Sequence, residues 1–425
     1  MRVPGLLINS CILSPAWTLA GSIPYGLRKQ DLGSDPYREV QPEDRREALP
    51  HRPEPVFPGR THQRPTGFIA LGDSYSAGIG TGANGTDDGC RRGFHAYPEL
   101  VNHDLVSQEG PNPTTFQFLS CTGSTVEDVL LGSDVSQIAK FNTSTTADFA
   151  LLSIGGNDLG FFDIMNSCIF RFYNFYSGTC EQTLERSDKA LASGEFESHL
   201  RLVIMEILDR LHWEKRPYFT VTVTGYARFF NDETDLCDDS SLSIWWRGPK
   251  LKRKLRRRMN EMVLAVNDKI RHSVEAVNAE FSVPKVMFVD YDAEFEGHRF
   301  CEPGVIEPDY SRNETWFFLV GGADNADGSA ADQHESLPLA SPLTDPQVCL
   351  ELAERSKDWG ELALCMMARA VAHNPTLRPV NKHAVTMGGR WHAPTYYGQT
   401  FHPRAKGHEA IRDQIYRHWH QYLGH

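Results

Sequence analysis

The sequence has few of the features that mark membrane-spanning or nucleic-acid-binding proteins. In its 425 residues, no apolar run reaches the roughly 18 residues that a membrane-spanning helix needs. Basic residues are in deficit, with 43 Lys and Arg against 55 Asp and Glu, so the formal net charge at pH 7 is −12. A chain with this charge has no general attraction to nucleic acid. We therefore expect neither a transmembrane segment nor a nucleic-acid partner.

Cysteine pairs with the C-x-x-C spacing of a zinc site are missing as well. The chain has 9 cysteines, and one of them, Cys11, lies in residues 1–20. That segment has one basic residue, a modest apolar stretch and small residues near Ala20, which predicts a signal peptide. Its removal would leave an even set of cysteines, which is typical of disulfide-bonded exported proteins. Among the many pairings we favour nearest neighbours: Cys90 with Cys121, Cys168 with Cys180, Cys237 with Cys301, and Cys349 with Cys365.

Three Asn-x-Ser/Thr sequons, at Asn84, Asn142 and Asn313, also fit a secreted glycoprotein. Such sequons are common by chance, so they support secretion less strongly than the cysteines do. Together with the N-terminal segment, they lead us to expect an extracellular protein.

Two segments lack the pattern of a folded core. Residues 21–64 are rich in Pro, Arg, Asp and Glu without apolar periodicity, which predicts a disordered linker or pro-region. Residues 309–395 form a polar insertion rich in Gly, Ala and Asp, with a short helical patch between Cys349 and Cys365. This insertion is either a lid that shapes the substrate site or a surface loop pinned by a disulfide.

The remaining chain, from residue 65 to 425, alternates short apolar runs with longer amphipathic stretches. Five runs are nearly continuous in apolar or β-branched residues, as in strands buried on both faces of a parallel sheet: GFIAL, FQFLS, FALLSI, YFTVTVTG and KVMFVDY. Helices are predicted around 97–106, 124–131, 188–213, 247–281 and 406–422. This alternation predicts an α/β fold with an open parallel sheet of about five strands.

Three of the predicted strands end on residues that suit acyl transfer. The first leads to Ser74, the second to Gly123 and the third to Asn157. The carboxyl ends of parallel strands meet at one edge of the sheet, where such folds bind their ligands. A serine hydroxyl can act there as a nucleophile, while a glycine amide and an asparagine carboxamide can stabilise an oxyanion. We expect the backbone amide of Ser74 to contribute to the same oxyanion hole.

A candidate general base lies near the C-terminus. His402 is followed by a proline, which stiffens the loop on which it stands. A second histidine, His408, begins the last predicted helix and is interpreted as a packing residue. Because these two histidines have no evident third ligand nearby in the sequence, we predict no metal site and no cofactor.

These blocks, taken in order, resemble the SGNH (GDSL) hydrolase superfamily, and in particular its secreted bacterial and fungal lipase/esterase branch. The likeness covers GDSYSAG with Ser74, Gly123, GGND with Asn157, and the FHP…GH block with His402. It spans residues 67–161 well and is looser over 220–302 and 398–411. The resemblance implies a flavodoxin-like three-layer sandwich and the first three disulfides named above.

The chain departs from this family at the third member of the catalytic triad. Members often have an aspartate three residues before the histidine, where this chain has Gln399. An anionic partner normally fixes the tautomer of the imidazole. In some members of this branch a backbone carbonyl takes that role, and here Gln399 or Thr400 could supply it. We therefore expect a Ser–His dyad rather than a triad.

The sequence thus predicts a secreted serine carboxylic-ester hydrolase that acts on lipid or other acyl esters without a cofactor. Two alternatives stay open: an esterase that removes acetyl groups from carbohydrate, and a non-catalytic binding protein on the same fold. A basic run at 250–258 lies on a predicted helix whose apolar stripe leaves the charges outside. It is interpreted as a solvated face, with transient contact to a lipid surface as the alternative.

Overall fold

The computed structural model describes residues 52–58, 65–82, 89–107, 114–145, 147–170, 179–243, 248–326 and 395–423. Several sequence predictions lie outside these residues: the predicted signal peptide, Asn84, the pair Cys349–Cys365, and most of the 309–395 insertion.

A five-stranded sheet forms the centre of the fold. Its strands are β1 (Gly67–Gly72), β2 (Thr115–Phe118), β3 (Phe149–Ser153), β4 (Thr220–Thr224) and β5 (Val286–Val289). They pair in the order β2-β1-β3-β4-β5, and every neighbouring pair is parallel. This is the flavodoxin-like order, so the prediction of the fold is confirmed.

Strand burial follows the position of each strand in the sheet. All residues of β1, β3 and β4 are buried, which explains their unbroken apolar and β-branched sequences. β2 is only half-buried along its whole length, because it lies at the edge and pairs with β1 alone. The expectation that all five strands are buried on both faces is therefore wrong for β2.

Helices cover both faces of the sheet. Their bounds are α1 Ser74–Ala77, α2 Tyr97–Ser107, α3 Val126–Val129, α4 Phe161–Ile164, α5 Cys180–Ala192, α6 Glu195–Arg210, α7 Arg253–Asn278, α8 Thr395–Gly398 and α9 Ala405–Leu423. A π-helical turn follows α4 at Met165–Phe170, and 3₁₀ turns occur at Trp213–Lys215 and Asp292–Phe295. The helix expected over 188–213 is two helices instead, because Gly194 adopts a left-handed φ of 70° between α5 and α6.

One face of the sheet is packed by α2 and α9. The indole of Trp419 on α9 donates to the hydroxyl of Thr222 on β4 over 2.9 Å, and its ring meets that of Phe149 edge-on at 5.0 Å. Phe57 also packs on this cluster, with its ring 6.1 Å from that of Trp419. Residues 52–58, at the end of the segment predicted as a disordered linker, therefore contact the folded domain.

The described residues form three disulfides: Cys90–Cys121, Cys168–Cys180 and Cys237–Cys301. They are the first three nearest-neighbour pairs. In the described part of the chain, no helix is both long and apolar enough to cross a membrane.

The basic run at the start of α7 is not wholly a solvated face. The side chain of Arg256 is fully buried and pairs with Asp238 at 3.0 Å. Its guanidinium also donates to the backbone carbonyls of Leu251 and Thr234. Because carbonyls and a carboxylate surround it, Arg256 joins α7 to the preceding loop, and the expectation that all these charges face outward is wrong for this residue.

Candidate active site

Ser74 stands at the sharp turn between β1 and α1. Asp73 caps the short helix, with its carboxylate accepting from the amide of Tyr75 at 2.9 Å. Gly72, with a φ of 128°, lies so close to β3 that a Cβ atom there would be 2.0 Å from the carbonyl oxygen of Ser153. A glycine is therefore required at this position, and the turn carries the Ser74 side chain to the carboxyl edge of the sheet.

His402 lies directly against this serine. Its Nε2 atom is 2.7 Å from Oγ of Ser74, although 328 positions separate the two in the sequence. Both residues are buried, at 7% exposed for Ser74 and 5% for His402. The structure thus brings together the predicted nucleophile and the predicted base at hydrogen-bond distance.

Main-chain carbonyls orient the imidazole. Nδ1 of His402 is 3.1 Å from the carbonyl oxygen of Gln399 and 3.2 Å from that of Thr400. A carbonyl can only accept, so Nδ1 carries the proton and Nε2 is left to accept from the hydroxyl of Ser74. The side chain of Gln399 points elsewhere and donates to the carbonyl of Gly322 at 3.0 Å.

Burial keeps this histidine neutral. Removal from water lowers the pKa of His402 to about 4, although the carbonyls of Thr400 and Gln399 oppose the shift. A neutral imidazole is the form that can accept a proton from a serine. The site therefore holds the base in its active form at neutral pH.

The predicted oxyanion donors occupy two neighbouring turns. Asn157 lines the same pocket as Ser74, and its Nδ2 atom donates one hydrogen to the carbonyl of Ser124 at 2.9 Å. Gly123, with a φ of 87°, lies in the turn between β2 and α3. This turn is held to the nucleophile strand, because the amide of Cys121 donates to the carbonyl of Gly72 at 2.9 Å.

Three residues that were not predicted from the sequence contact these turns, two of them buried and one, Asp158, half-buried. The carboxamide of Gln137 exchanges two hydrogen bonds of 2.8 Å with the backbone of Gly72. Asp158 accepts from the amide of Val126 at 3.1 Å, and burial raises the pKa of its carboxyl to about 7. Tyr226 lies just after the end of β4. The reasoning that identified Ser74, namely that the carboxyl ends of parallel strands meet at one edge, would also have identified Tyr226.

An apolar pocket opens beside Ser74. Its polar lining side chains are those of Asp73, Ser74, Tyr75, Asn157 and Tyr226. The rest of its lining is formed mainly by aliphatic and aromatic side chains from α4, α5, α7 and the adjoining loops: Leu159, Phe161, Ile164, Leu191, Phe229, Met259, Met262, Val263 and Val266.

Other candidate residues lie apart from this chemistry. His408 is fully buried in α9 and accepts through Nδ1 from the amide of Tyr97 at 3.2 Å, while burial lowers its pKa to about 3. Asn142 and Asn313 are both exposed. Within the described ranges, no group of three or more His, Cys, Asp or Glu residues is arranged to hold a metal ion.

Comparison with known proteins shows the family to which the chain belongs. A profile of the GDSL-like Lipase/Acylhydrolase family matches residues 70–300, which is more than half of the chain. The chain therefore belongs to this family. The matched range includes Ser74, Gly123 and Asn157 and ends before His402.

Individual relatives are lipases of Streptomyces. The chain is 33% identical over 165 residues to Lipase 1 of Streptomyces coelicolor, and 34% identical over 166 residues to a lipase of Streptomyces rimosus. Each match covers 39% of this chain and about half of the relative, 53% and 54% respectively.

Two solved structures are also similar. The extracellular lipase of Streptomyces rimosus aligns at 26% identity and a TM-score of 0.42, covering 57% of this chain and 89% of that one. Phospholipase A1 of Streptomyces albidoflavus NA297 aligns at 26% identity and a TM-score of 0.44, covering 60% and 88%.

Proposed function

We propose that this protein is a secreted serine carboxylic-ester hydrolase that acts on lipid or other long-chain acyl esters through a Ser–His dyad. The observation that carries the proposal is the contact of 2.7 Å between Oγ of Ser74 and Nε2 of His402, with Nδ1 held by main-chain carbonyls. Membership of a family of lipases and acylhydrolases supports it.

The first half of the reaction forms an acyl-enzyme. Oγ of Ser74 attacks the ester carbonyl carbon while its proton passes to Nε2 of His402. The carbonyl oxygen becomes negative and accepts hydrogen bonds from the amides of Ser74 and Gly123 and from the Asn157 carboxamide. The intermediate then collapses, the bond to the alcohol oxygen breaks, and His402 returns its proton to the leaving alcohol.

Water completes the cycle. His402 takes a proton from a water molecule, the resulting hydroxide adds to the acyl carbon, and Ser74 leaves with that proton as the carboxylic acid is released. The imidazolium that forms in each half is stabilised by the carbonyl dipoles of Gln399 and Thr400. Because these bring only partial charge, we expect weaker stabilisation than a carboxylate gives.

The shape of the pocket bears on the substrate. Past Ser74 and Asn157 its walls are largely alkyl and aromatic groups, which suit a hydrocarbon chain and offer few partners to sugar hydroxyls. An ester with a long acyl group would bury that chain against Met259 and Met262 on α7. This observation favours a lipid ester over the acetyl group of a carbohydrate.

Secretion is supported by the three disulfides, because such bonds persist in oxidising compartments. We propose that residues 1–20 are a signal peptide, that 21–64 are a linker or pro-region, and that 65–425 form the hydrolase domain with its insertion. Measurement of the mature N-terminus in culture medium tests these boundaries.

Labelling with a fluorophosphonate probe tests the chemistry. We expect the wild-type protein to react, Ser74→Ala to lose labelling, and Ser76→Ala to retain it. Ser76 is a matched control because it is a fully buried serine on the same helix, where its hydroxyl bonds that of Ser120. Gln399→Ala should still react, since its carbonyl rather than its side chain contacts His402. A folded, oxidised wild-type protein that does not label would favour a non-catalytic binding protein.

The substrate class is tested with p-nitrophenyl esters of increasing acyl length. We expect kcat/KM to rise from acetyl toward longer chains, because each buried methylene adds about 0.8 kcal/mol of transfer free energy. A preference for acetyl esters would contradict the lipid assignment and favour the carbohydrate esterase.

A further inference from the structure

The hydroxyl of Tyr226 joins the two turns that hold Ser74 and Asn157. It donates to Oδ2 of Asp73 over 2.6 Å and accepts from the amide of Gly156 over 3.0 Å. Asp73 immediately precedes Ser74, and Gly156 immediately precedes Asn157. One hydroxyl group therefore connects the end of β1 with the end of β3.

The two side chains of this link are buried. Asp73 is 1% exposed and Tyr226 is 5% exposed, so water does not readily substitute for the bond between them. The neighbouring carboxylate and burial raise the pKa of Tyr226 well above its usual value, which keeps the hydroxyl protonated and able to donate. The short bond to Asp73 is a charge-assisted contact when that carboxyl is ionised.

Tyr226 is itself held in place by α7. The carboxamide of Asn267 accepts from the amide of Tyr226 and donates to its carbonyl, both at 2.8 Å. Two helical turns earlier, Asn260 contacts the backbone of Phe230 in the same two-sided way, at 3.3 and 2.8 Å. The segment that follows β4 is thus fixed on a long helix, and the tyrosine ring projects from a rigid support.

We propose that Tyr226 is a positioning residue that sets the placement of the Asn157 carboxamide relative to Ser74. The inference rests on the proposed ester hydrolysis and goes beyond it by assigning a role to a pocket residue whose hydroxyl is bonded to Asp73 and to the amide of Gly156. Asn157 would donate to an oxygen that is fully negative only in the transition state. Tyr226 should therefore affect kcat and leave KM nearly unchanged.

The expected effect is smaller than the loss of the oxyanion donor itself. Removal of one such donor lowers kcat by about 10²–10³-fold in a serine hydrolase. Without the hydroxyl of Tyr226, the amide of Gly156 loses its partner and the turn relaxes, while Asn157 keeps its bond to Ser124. We expect Tyr226→Phe to lower kcat by roughly 10- to 100-fold.

The test compares Tyr226→Phe with Tyr291→Phe on a p-nitrophenyl ester. Tyr291 is a matched control because it is 1% exposed and follows β5, and its hydroxyl has no hydrogen-bond partner among the described residues. We expect Tyr291→Phe to keep the wild-type kcat. An equal loss in both variants, or a rise in KM at constant kcat for Tyr226→Phe, would overturn the proposal.

A double-mutant cycle separates positioning from general damage to the fold. If Tyr226 acts through Asn157, then Tyr226→Phe should cause less than about a twofold further loss of kcat in the Asn157→Ala background. If the loss of kcat in the double variant equals the product of the losses in the two single variants, the proposal is overturned. Should Tyr226→Phe not accumulate as folded protein, Asn267→Ala enters the same cycle, since it frees the tyrosine backbone and leaves the hydroxyl present. The same selective loss of kcat is then expected.

The wild-type protein and Ser74→Ala are measured alongside. If wild type hydrolyses the ester and Ser74→Ala does not, a Tyr226→Phe variant with wild-type kcat rejects this inference alone. If wild type and Ser74→Ala are equally inactive, the proposed function fails, and the role assigned to Tyr226 fails with it.

Discussion

The turn that holds Ser74 and the loop that holds His402 are supported in different ways. Ser74 stands at the end of a central strand, and the backbone before it is hydrogen-bonded to β3 and to the side chain of Gln137. His402 stands on a loop between two helices and outside the sheet. Its support comes mainly from another loop, which belongs to the described start of the 309–395 insertion, and from the hydroxyl of Tyr75 on α1.

The contacts of the histidine loop join segments that are far apart in the sequence and belong to no regular helix or sheet. The backbone of Phe318 pairs with both Phe401 and His402, at 2.9 and 3.0 Å. Asp324 accepts from the amide of Ala405 at 2.8 Å and contacts Nδ1 of His95 at 3.1 Å. Phe401 itself has a φ of 66°, which is unfavourable for a residue with a side chain. The nucleophile is thus built into the core, while the base depends on a few contacts between loops.

Replacement of His402 gives the largest expected effect, because it removes the proposed acceptor of the Ser74 proton. We expect His402→Ala to lower kcat by about 10⁴-fold or more on a p-nitrophenyl ester. His408→Asn is the control, since asparagine can still accept from the amide of Tyr97. Comparable losses per folded molecule in both variants would refute the assignment of His402 as the base.

The two supports are compared by removing one side chain from each. We expect Asp324→Ala to lower kcat/KM by roughly tenfold, because the start of α9 and the loop before it lose an acceptor and a misplaced base slows proton transfer. The free energy of unfolding should fall by less than about 1 kcal/mol, since a loop can open locally without global unfolding.

Gln137→Ala is the matched variant on the nucleophile side. It leaves buried polar groups of Gly72 and Ser124 without their partner, so the free energy of unfolding should fall by about 1–3 kcal/mol. Urea unfolding and steady-state kinetics on both variants check the contrast. The contrast would be refuted if Asp324→Ala lowers the free energy of unfolding more than Gln137→Ala does. It would also be refuted if Gln137→Ala lowers kcat/KM more than Asp324→Ala does.

This difference also explains what could be predicted from the sequence. Ser74, Gly123 and Asn157 follow predicted strands, and the rule that parallel strands end at one edge was enough to place them at the same edge. The orientation of His402 was left open between Gln399 and Thr400. Both of their carbonyls lie within reach of Nδ1, so the structure retains both alternatives.

The support of His402 could not be predicted, because it depends on contacts that no local periodicity encodes. The hydroxyl of Tyr75, for example, donates to the carbonyl of Phe401 at 2.7 Å across 326 positions. By contrast, the break between α5 and α6 had a local signal in Ser193–Gly194, which a purely apolar pattern overlooks. Arg256 had none, since its burial depends on carbonyls of the loop that precedes α7, and these follow no apolar period.

The pH dependence of kcat/KM should show the smallest effect, and it is the most specific test of how Ser74 and His402 are supported. Burial lowers the pKa of His402 to about 4, and only the neutral imidazole can act as a base. Activity of the free enzyme should therefore rise with pH through about 4, well below the usual histidine value of about 6.5. Burial raises the pKa of Asp73 to about 7, so the part of an inflection near that pH that comes from Asp73 should disappear in Asp73→Asn, while the part that comes from Asp158, whose pKa is also about 7, should remain.

The same profile measured on Asp324→Ala reports on the support of the base. If loss of the loop contacts admits water to His402, its pKa should move back toward 6.5 and the acid limb should shift to higher pH. Gln137→Ala should leave the limb where it is, because it acts on the strand that leads to Ser74. Equal shifts in the two variants would mean that the bond from Tyr75 on α1 to the carbonyl of Phe401 couples the base and the nucleophile strongly, although Gln137 contacts only the nucleophile strand and Asp324 only the histidine side.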